Sequence, residues 1–315
     1  MPGGVPLGDL PISPQAMPGP QIGNPTQPGN PVPAVGPNPL QKYFRQPKIY
    51  ISLPSKGTYW PQGSIEIPEN GELPVYAMTA KDEMRFKTPD ALMNGQATVD
   101  VIQSCIPNIK NAWTMPVLDL DTLLIAVRIA TYGEKLELST TVPVSNEEKT
   151  FTLDMRTLLD QFMAVSYDNV ITHSDLKITI RPITYMQFTK TAIKSFEEQR
   201  IFQTINDTEM DDNQKMGTFN DAFTKLTNLT IGTIKTSISQ IQAGDQIVVD
   251  ENQISEFIDN ADKEFYSAIT DHIEAQKKKF EIKPMRVESS EEEQGQGVPK
   301  TYDVPIAFDQ SNFFA

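Results

Sequence analysis

The sequence predicts an α+β fold. Small β-hairpin and strand units pack with short helices, a helical hairpin and a C-terminal β-hairpin follow, and an N-terminal Pro/Gly-rich extended arm precedes them all. Twelve of the 25 prolines lie in the first forty of the 315 residues. Beyond them, short β-type runs alternate with segments that begin at helix-capping residues. Residues 219–273 carry apolar side chains at spacings of three and four, which is typical of amphipathic helices.

The extended arm is predicted over residues 1–46. Asp9 is the only charged residue among the first forty, and large apolar side chains are too few to offset the entropy of ordering this segment. At the polyproline rise of about 3.1 Å per residue, forty such residues reach on the order of 120 Å. The arm could therefore lie across neighbouring subunits of an assembly, and the alternative is an inert spacer.

Residues 47–205 are predicted to form an α+β domain that opens with a β-hairpin. After a first β-type run at residues 49–53, the sequence Asn70-Gly71 separates two further runs, residues 64–67 and 73–76. Asn-Gly between β-prone runs is a strong hairpin signal because both residues accept positive φ angles. We therefore predict that residues 64–67 pair with residues 73–76.

Short helices are predicted to follow this hairpin. Thr79 with Asp82 resembles a helix start. Thr88-Pro89 places a capping residue before a proline at the first helical position, and Asn94-Gly95 would stop that helix.

A central core helix is predicted next. Asp119 or Asp121 would cap it, and Tyr132-Gly133 would end it. A second β-hairpin would then join residues 136–138 to residues 150–153 around a polar turn.

The predicted domain ends with a strand and a long helix. Residues 177–181 alternate between polar and apolar side chains, as a half-buried strand does. Thr184 and Gln187 have the spacing of a capping box, which predicts a helix from Tyr185 to about Ile205.

Residues 206–280 are predicted to be a helical region with two helices, the second opened by a capping box of Asp250 and Gln253. Their apolar stripes are typical of a helical hairpin packed on its own domain, or of a seam for a partner coiled coil. The first stripe comprises Phe219, Phe223, Leu226, Ile231, Ile234, Ile238 and Ile241, and the second Ile254, Phe257, Ile258, Ala261, Phe265, Ala268, Ile269 and Ile273.

Residues 281–315 are predicted to form a C-terminal β-hairpin and a tail with an aromatic end. The β-type runs at 279–282 and 300–303 resemble those at 135–138 and 149–152, which indicates two hairpins of one design. Exposed aromatic side chains at a chain end either fold back on their own domain or dock on a partner. The aromatic residues of this tail are Phe308, Phe313 and Phe314.

Composition argues against several classes of function. A formal net charge of −14 disfavours a nucleic-acid partner. The single cysteine, Cys105, allows no intramolecular disulfide and leaves a Cys-based zinc site without ligands. With two histidines and none of the common nucleotide-loop or nucleophile motifs, we expect no enzyme, no cofactor, and no catalytic, cofactor-binding or metal residues. Apolar runs are too short to span a bilayer, so we expect no membrane partner.

Five segments in order resemble the baseplate hub protein family of T-even-type contractile-tailed bacteriophages. The resemblance covers residues 48–205 best and is looser towards residue 315. The segments are LPSKGTYWP at 53–61, MTAKDE at 78–83, LIAVRIATYG at 124–133, RPITY at 181–185 and FDQSNFF at 308–314.

The resemblance implies a structural subunit of the virion tail baseplate, in or near the hub. Such a protein is made in the host cytoplasm and works through contacts with other baseplate and tail proteins, with self-association as a further option. The alternative is a transient chaperone of tail or hub assembly that does not stay in the virion. The candidate partner-contact residues are Leu53, Pro54, Lys56, Tyr59, Trp60, Phe308, Phe313 and Phe314.

Overall fold

A computed structural model describes residues 38–88, 95–205 and 211–306. The chain divides into two units, Met1–Phe44 and Arg45–Ala315. In the described part of the first unit, Pro39–Tyr43 forms a 3-10 helix that is capped by the side chain of Asn38. Most of the predicted arm and the body of the helix predicted after Thr88 lie outside the described residues.

The described part of the second unit is a mixed α+β structure, as predicted. A 3-10 helix, Ala112–Thr114, lies among nine α-helices. The α-helices are α1 (Ala80–Phe86), α2 (Gln96–Cys105), α3 (Val117–Tyr132), α4 (Met155–Met163), α5 (Tyr185–Ile205), α6 (Asp212–Ser237), α7 (Glu251–Asn260), α8 (Lys263–Lys279) and α9 (Glu291–Gly295).

The strands of this unit form small antiparallel sheets. Three sheets have two strands each, and the fourth has the strand order β5-β6-β7-β8. The two-stranded sheets are β1 (Pro47–Ile51) with β2 (Leu73–Tyr76), β3 (Lys135–Thr141) with β4 (Glu148–Asp154), and β9 (Met285–Glu288) with β10 (Thr301–Val304). The four-stranded sheet contains β5 (Val170–His173), β6 (Leu176–Ile180), β7 (Ile238–Ala243) and β8 (Gln246–Val248).

Helix α3 forms the centre of the largest hydrophobic core. Its side chains are buried on every side, and β1, β2, α2 and α4 pack around it. The helix ends at Gly133, which has a φ of 92°, as predicted from Tyr132-Gly133. The predicted cap is wrong, because Pro116 precedes the first turn while Asp119 and Asp121 lie inside the helix. A carboxylate in the first helical turn suits the macrodipole, so sequence spacing does not distinguish it from a cap.

The predicted pairing of residues 64–67 with residues 73–76 is also wrong. Strand β2 pairs with β1, while Ile65 makes an isolated bridge to Ile109. The predicted turn does exist, since Gly71 has a φ of 76° and its amide donates to the carbonyl of Pro68 at 2.8 Å. Pro68 has no amide hydrogen to give to a ladder, and it interrupts the run just before the turn.

The helix predicted through Ile241 ends at Ser237, and its last apolar residues lie on β7. In the four-stranded sheet, Ile238 stands opposite Ile180 and Ile241 opposite Ile178, with a register irregularity between the two pairs. Such an irregularity brings residues three apart onto one face of a strand. All four side chains are buried together, so an irregular strand produced the helix-like spacing.

The long helical hairpin consists of α5 and α6 rather than of the two helices predicted for residues 206–280. Helix α5 begins with the predicted capping box, in which the Thr184 amide donates to Gln187 Oε1 at 2.9 Å and the Gln187 amide donates to Thr184 Oγ1 at 3.3 Å. It also spans the residues predicted for it. Helix α6 begins after the capping residue Asp211 and packs along α5.

The second predicted helix is in fact two helices. Asp250 caps α7 as predicted, and the chain breaks at Ala261 before Asp262 caps α8. Their apolar stripe packs against the four-stranded sheet in a second core, so this stripe belongs to its own domain. The core residues of the stripe are Ile254, Ile258, Phe265 and Ile269.

The two predicted β-hairpins of similar sequence are present and pack against each other. The first strand of the C-terminal hairpin is Met285–Glu288 rather than residues 279–282, because α8 continues to Lys279 and Phe280 follows as its C-cap. Val142 lies next to the tip of the β3–β4 hairpin. It is buried in a small third core with three residues of the C-terminal segment, which are Val298, Tyr302 and Val304.

Candidate protein–protein interface

A buried carboxylate fixes the loop that contains most of the predicted contact residues. Asp119 is 0% exposed in the first turn of α3. Its Oδ1 accepts from the Ser55 amide at 2.9 Å, and its Oδ2 accepts from Trp60 Nε1 at 2.8 Å and from the Ser55 hydroxyl. Burial raises the pKa of Asp119 to about 6, while the bonds from Ser55 and Trp60 act in the opposite direction. Residues 53–61 are therefore held at both sides of their turn.

The turn itself has a constrained backbone. Lys56 and Gly57 have φ angles of 51° and 78°, in the left-handed region. A Cβ atom at Gly57 would lie 2.2 Å from Ile67 Cδ1. The Gly57 amide also donates to Ser55 Oγ at 3.1 Å. This turn exposes the side chain of Lys56 to solvent.

The candidate contact residues of this loop differ in their accessibility. Leu53 and Trp60 are only 2% and 8% exposed, and both belong to the main core. Pro54 and Tyr59 are half-buried, and only Lys56 among the five is exposed. Contact of Leu53 or Trp60 with a partner would require the core to open. A partner contact at this loop remains a prediction. Lys56 and its immediate surroundings are the part of the loop that a partner could reach.

Three further candidates, Phe308, Phe313 and Phe314, lie outside the described residues. The described chain approaches them through Ile306, which packs against the main core.

The first residue of the second unit is fixed by a dense set of polar contacts. The Arg45 guanidinium donates to the backbone carbonyls of Ala77 and Ser104 and, at 2.9 Å, to Ser104 Oγ. It also lies 3.6 Å from the buried carboxylate of Asp82 and over the ring of Tyr76. These contacts tie Arg45 to β2, α1 and α2.

The α5–α6 hairpin exposes a series of large apolar side chains. Phe196 on α5 is 56% exposed, and Phe223 on α6 is 59% exposed. Phe219 and Phe223 belong to the apolar stripe that the sequence predicts, and the spacing of Phe188, Ala192 and Phe196 gives the same signal on α5. Among the described side chains of this hairpin, the exposed large apolar residues are Met186, Phe188, Ile193, Phe196, Met216, Phe219 and Phe223.

Small and polar side chains make up much of the seam between α5 and α6. Ala222 is buried there, and Lys225 Nζ lies 3.2 Å from Glu198 Oε1. The side chain of Glu198 is only 14% exposed. The large apolar residues thus lie mainly outside the seam that joins the two helices.

A polar contact also joins the two β-hairpins, in addition to the small apolar core described above. Lys149 Nζ lies 2.8 Å from Glu293 Oε1, and Glu293 Oε2 accepts from the Ser290 amide in a capping box that opens α9. The bonds from Lys149 and Ser290 lower the pKa of Glu293. Val144, at the tip of the first hairpin, is exposed and has a φ of 73°, which is unusual for a β-branched residue.

Chemical groups that suit catalysis or metal binding are sparse in the described ranges. Within residues 38–88, 95–205 and 211–306, no group of three or more His, Cys, Asp or Glu residues could hold a metal ion. Burial raises the pKa of Cys105 to about 12, so its thiol is a poor nucleophile. None of the helices in these ranges has the length and apolar character needed to cross a bilayer.

Comparison with known proteins identifies the family. A family model described as T4 bacteriophage base plate protein matches residues 61–294, which is about three quarters of the chain. Neither a curated protein nor a solved structure matches this chain. The matched region contains α3, the α5–α6 hairpin, the β3–β4 hairpin and strand β9, and it ends before β10. The chain therefore belongs to the T4 bacteriophage base plate protein family.

Proposed function

We propose that this baseplate protein is a hub or hub-proximal structural subunit of a contractile tail, made in the host cytoplasm and retained in the virion. It acts without catalysis, through contacts with other baseplate and tail proteins and with copies of itself. One observation carries the proposal, namely the exposed apolar side chains of the α5–α6 hairpin in a member of a baseplate family.

Exposure on this scale is costly for a protein that works alone. Fully burying a Phe or Met side chain contributes about 1.5–3 kcal/mol, and monomeric proteins rarely leave such residues clustered in water. The hairpin carries four phenylalanines that are each more than 40% exposed. Burial against another subunit would recover that free energy, which supports a role in assembly.

The loop of residues 53–61 is a second proposed contact. Its backbone is held by Asp119, so a partner that binds there orders little additional chain. The exposed ammonium of Lys56 suits a carboxylate on the partner.

The arm and the aromatic tail are also proposed to make intersubunit contacts. Residues 1–46 are rich in proline and glycine, and a segment of this composition gains a long contact surface when it orders on a partner. Phe308, Phe313 and Phe314 would supply apolar anchors at the other end of the chain.

A transient assembly chaperone is the second candidate function. The same exposed apolar residues favour it, because a chaperone needs an accessible surface for its client. In that case the surface would be covered only during assembly.

Quantitative mass spectrometry of purified, DNA-filled particles and of the infected-cell lysate distinguishes the two candidates. We expect this chain at a small, fixed number of copies per particle relative to a known tail protein. Abundance in the lysate together with absence from particles would reject the structural proposal and favour the chaperone. A cell-wall digestion assay on the purified chain tests the expectation that it is not an enzyme.

A further inference from the structure

The chain contains the dipeptide Asn-Gly at residues 70–71 and again at residues 94–95. An asparagine side chain before glycine is open to attack by the next backbone amide, because glycine has no side chain to block the approach. Both dipeptides carry the same intrinsic reactivity. The fold therefore decides how much of it each site expresses.

The first dipeptide lies in an open turn. Asn70, Gly71 and Glu72 are all exposed. Apart from its neighbours in the chain, no atom of the described residues lies within 4 Å of the position that a Cβ on Gly71 would take. The Gly71 amide donates to the Pro68 carbonyl at 2.8 Å, and a hydrogen bond in an exposed turn opens at a small cost in free energy. Water and base therefore reach the Gly71 nitrogen.

The side chain of Asn70 is also prepared for such an attack. Its Oδ1 accepts from the Glu72 amide at 3.1 Å, which holds the side-chain carbonyl close to the backbone of the following residues. When a nucleophile adds to Cγ, this oxygen becomes an oxyanion. A backbone N–H that already points at the oxygen stabilises that charge.

The glycine of the second dipeptide is packed. Gly95 is buried at the start of α2, and a Cβ there would lie 3.0 Å from the Tyr185 hydroxyl and 3.1 Å from Thr189 Oγ1. Its carbonyl accepts from the Val99 amide at 3.2 Å in the first turn of the helix. Ring closure onto the Gly95 nitrogen would require the start of α2 to move away from α5, and such local opening costs free energy.

We propose that Asn70 is a site of spontaneous deamidation in the folded protein, whereas the packing of Gly95 protects Asn94. Asn94 itself lies outside the described residues. The modification needs no enzyme and is independent of the proposed role in assembly.

The reaction has two steps and consumes one water molecule. The Gly71 nitrogen attacks Cγ of Asn70, so that the N–Cγ bond forms and the Cγ–Nδ2 bond breaks. The proton of the Gly71 amide passes through solvent to the leaving nitrogen, which departs as ammonia. Water then opens the cyclic imide at either carbonyl and leaves aspartate or isoaspartate at position 70.

The product changes the charge balance of the turn. Asn70 Nδ2 lies 3.5 Å from Glu72 Oε2. Deamidation replaces that nitrogen with a carboxylate oxygen, so a weak attraction becomes repulsion between two negative charges. Strand β2 begins at Leu73, directly after this turn. We therefore expect the modified chain to have a looser start of β2.

The experiment incubates the full-length chain at pH 8, folded and in guanidinium chloride, and follows deamidation by mass spectrometry of tryptic peptides. The two sites fall in separate peptides, residues 57–81 and 88–110. We expect Asn70 to react in the folded chain at nearly its rate in the unfolded chain, and Asn94 to be slowed about tenfold or more by folding. Equal slowing of both sites, or faster reaction at Asn94 in the folded chain, overturns the inference.

Two variants serve as controls for the site and its consequence. Asn70→Gln, whose longer side chain closes such a ring far more slowly, should abolish the modification of peptide 57–81, and a modification that persists would place the reaction elsewhere and refute the assignment. Asn70→Asp should lower protection of the β2 amides against hydrogen exchange, while the neutral change Asn70→Ser should not. Equal protection in these two variants would refute the expected loosening of β2.

Discussion

At the residue scale, Asp119 connects the central helix to the loop of residues 53–61. A carboxylate without water needs donors, and the amide and hydroxyl of Ser55 and the indole of Trp60 supply three. Its raised pKa shows that these bonds only partly offset the cost of burying the charge. The loop is therefore sensitive to the protonation of a carboxylate that is fully buried in this structure.

Replacing Trp60 with Phe should destabilise the protein more at pH 8 than at pH 5. Asp119 has a native pKa of about 6 against an ordinary value of 3.8, so the native state binds the proton more tightly and stability falls as pH rises through this window. Trp60→Phe removes a donor that lowers the pKa, which moves the native pKa further up. Urea unfolding of both proteins at the two pH values measures the free energy that the substitution costs. We expect this cost to be about 1.5–3 kcal/mol at pH 8 and smaller at pH 5.

Trp113→Phe is the matched control for this prediction. Trp113 is half-buried and stacks on Tyr185 at a centroid distance of 5.7 Å, and the hydrogen bonds described for Asp119 come from Ser55 and Trp60 instead. Its replacement should cost the same at both pH values. If Trp60→Phe costs the same stability at pH 5 and at pH 8, the indole does not affect the pKa of the Asp119 carboxylate.

Gly57→Ala should cost more stability than Gly63→Ala. Both glycines have φ angles near 80°, so each alanine carries the left-handed penalty of about 1–2 kcal/mol. Only the Cβ at position 57 collides with a neighbour, the end of the Ile67 side chain, and forcing that side chain off its rotamer costs about 0.5–1.5 kcal/mol more.

A double variant isolates the collision at Gly57. Ile67→Val removes the Cδ1 atom that the new Cβ would meet, so the excess cost of Gly57→Ala over Gly63→Ala should vanish in that background. Denaturant midpoints of the single and double variants provide the measurement. An excess that persists without Cδ1 would mean that the backbone, rather than Ile67, opposes the substitution.

The features that the sequence predicts correctly at this scale are those set by residues close together along the chain. The Thr184–Gln187 capping box and the end of α3 at Gly133 depend on neighbouring residues, and both are confirmed. The role of Asp119 depends on donors about sixty positions away, so local spacing suggested a cap instead. The burial of Leu53 and Trp60 has the same origin, because the helix that covers them is remote in sequence.

At the element scale, periodicity predicted strands and helices where the pairing is local. The β3–β4 hairpin and α5 have the predicted positions. The apolar spacing of β7 predicts a helix, because the pairing partner that imposes its irregular register, β6, lies far away along the chain. The residues of β1 and β2 show β character in the sequence, but their pairing across some twenty residues does not follow from it.

The contact between the two β-hairpins should depend on Glu293. Its pKa is lowered by Lys149 and Ser290, so its contribution is complete above the ordinary value of 4.5 and is lost as the pH falls through the native pKa. Glu293→Gln should therefore lower protection of the β10 amides against hydrogen exchange at pH 7. The difference in melting temperature between the Glu293→Gln variant and the unmodified chain should become smaller as the pH falls below 4.5.

Glu292→Gln is the control for this contact. Glu292 lies beside Glu293 in α9, is exposed, and has no ion pair with Lys149 among the described contacts. Its replacement should leave β10 protection unchanged. If both variants behave alike, the net charge of α9 rather than the Lys149 contact stabilises the C-terminal hairpin.

At the scale of the whole molecule, the arm should matter for assembly and not for folding. A chain without residues 1–44 keeps Arg45 and the complete second unit, so its melting temperature should match that of the full chain. We expect this chain to enter purified particles at a reduced level, which mass spectrometry of the particles measures. Normal incorporation would show that the arm is a spacer.

A shuffled arm separates composition from sequence. A full-length chain whose residues 1–44 have the same composition in a different order keeps the length and flexibility of the arm. Incorporation that is lost on deletion and restored by the shuffled arm would mean that reach alone is required. Loss in both variants would point to specific contacts.

The attachment of Arg45 has a mechanical consequence. Strand β1 begins two residues later, at Pro47, and a pull on the preceding chain would otherwise peel β1 from β2 one hydrogen bond at a time. With the guanidinium held by Ser104 and Asp82, the load passes first into α2 and α1 and through them into the main core. Tension on the arm would therefore act on several elements at once, and the β1–β2 sheet would be shielded from it.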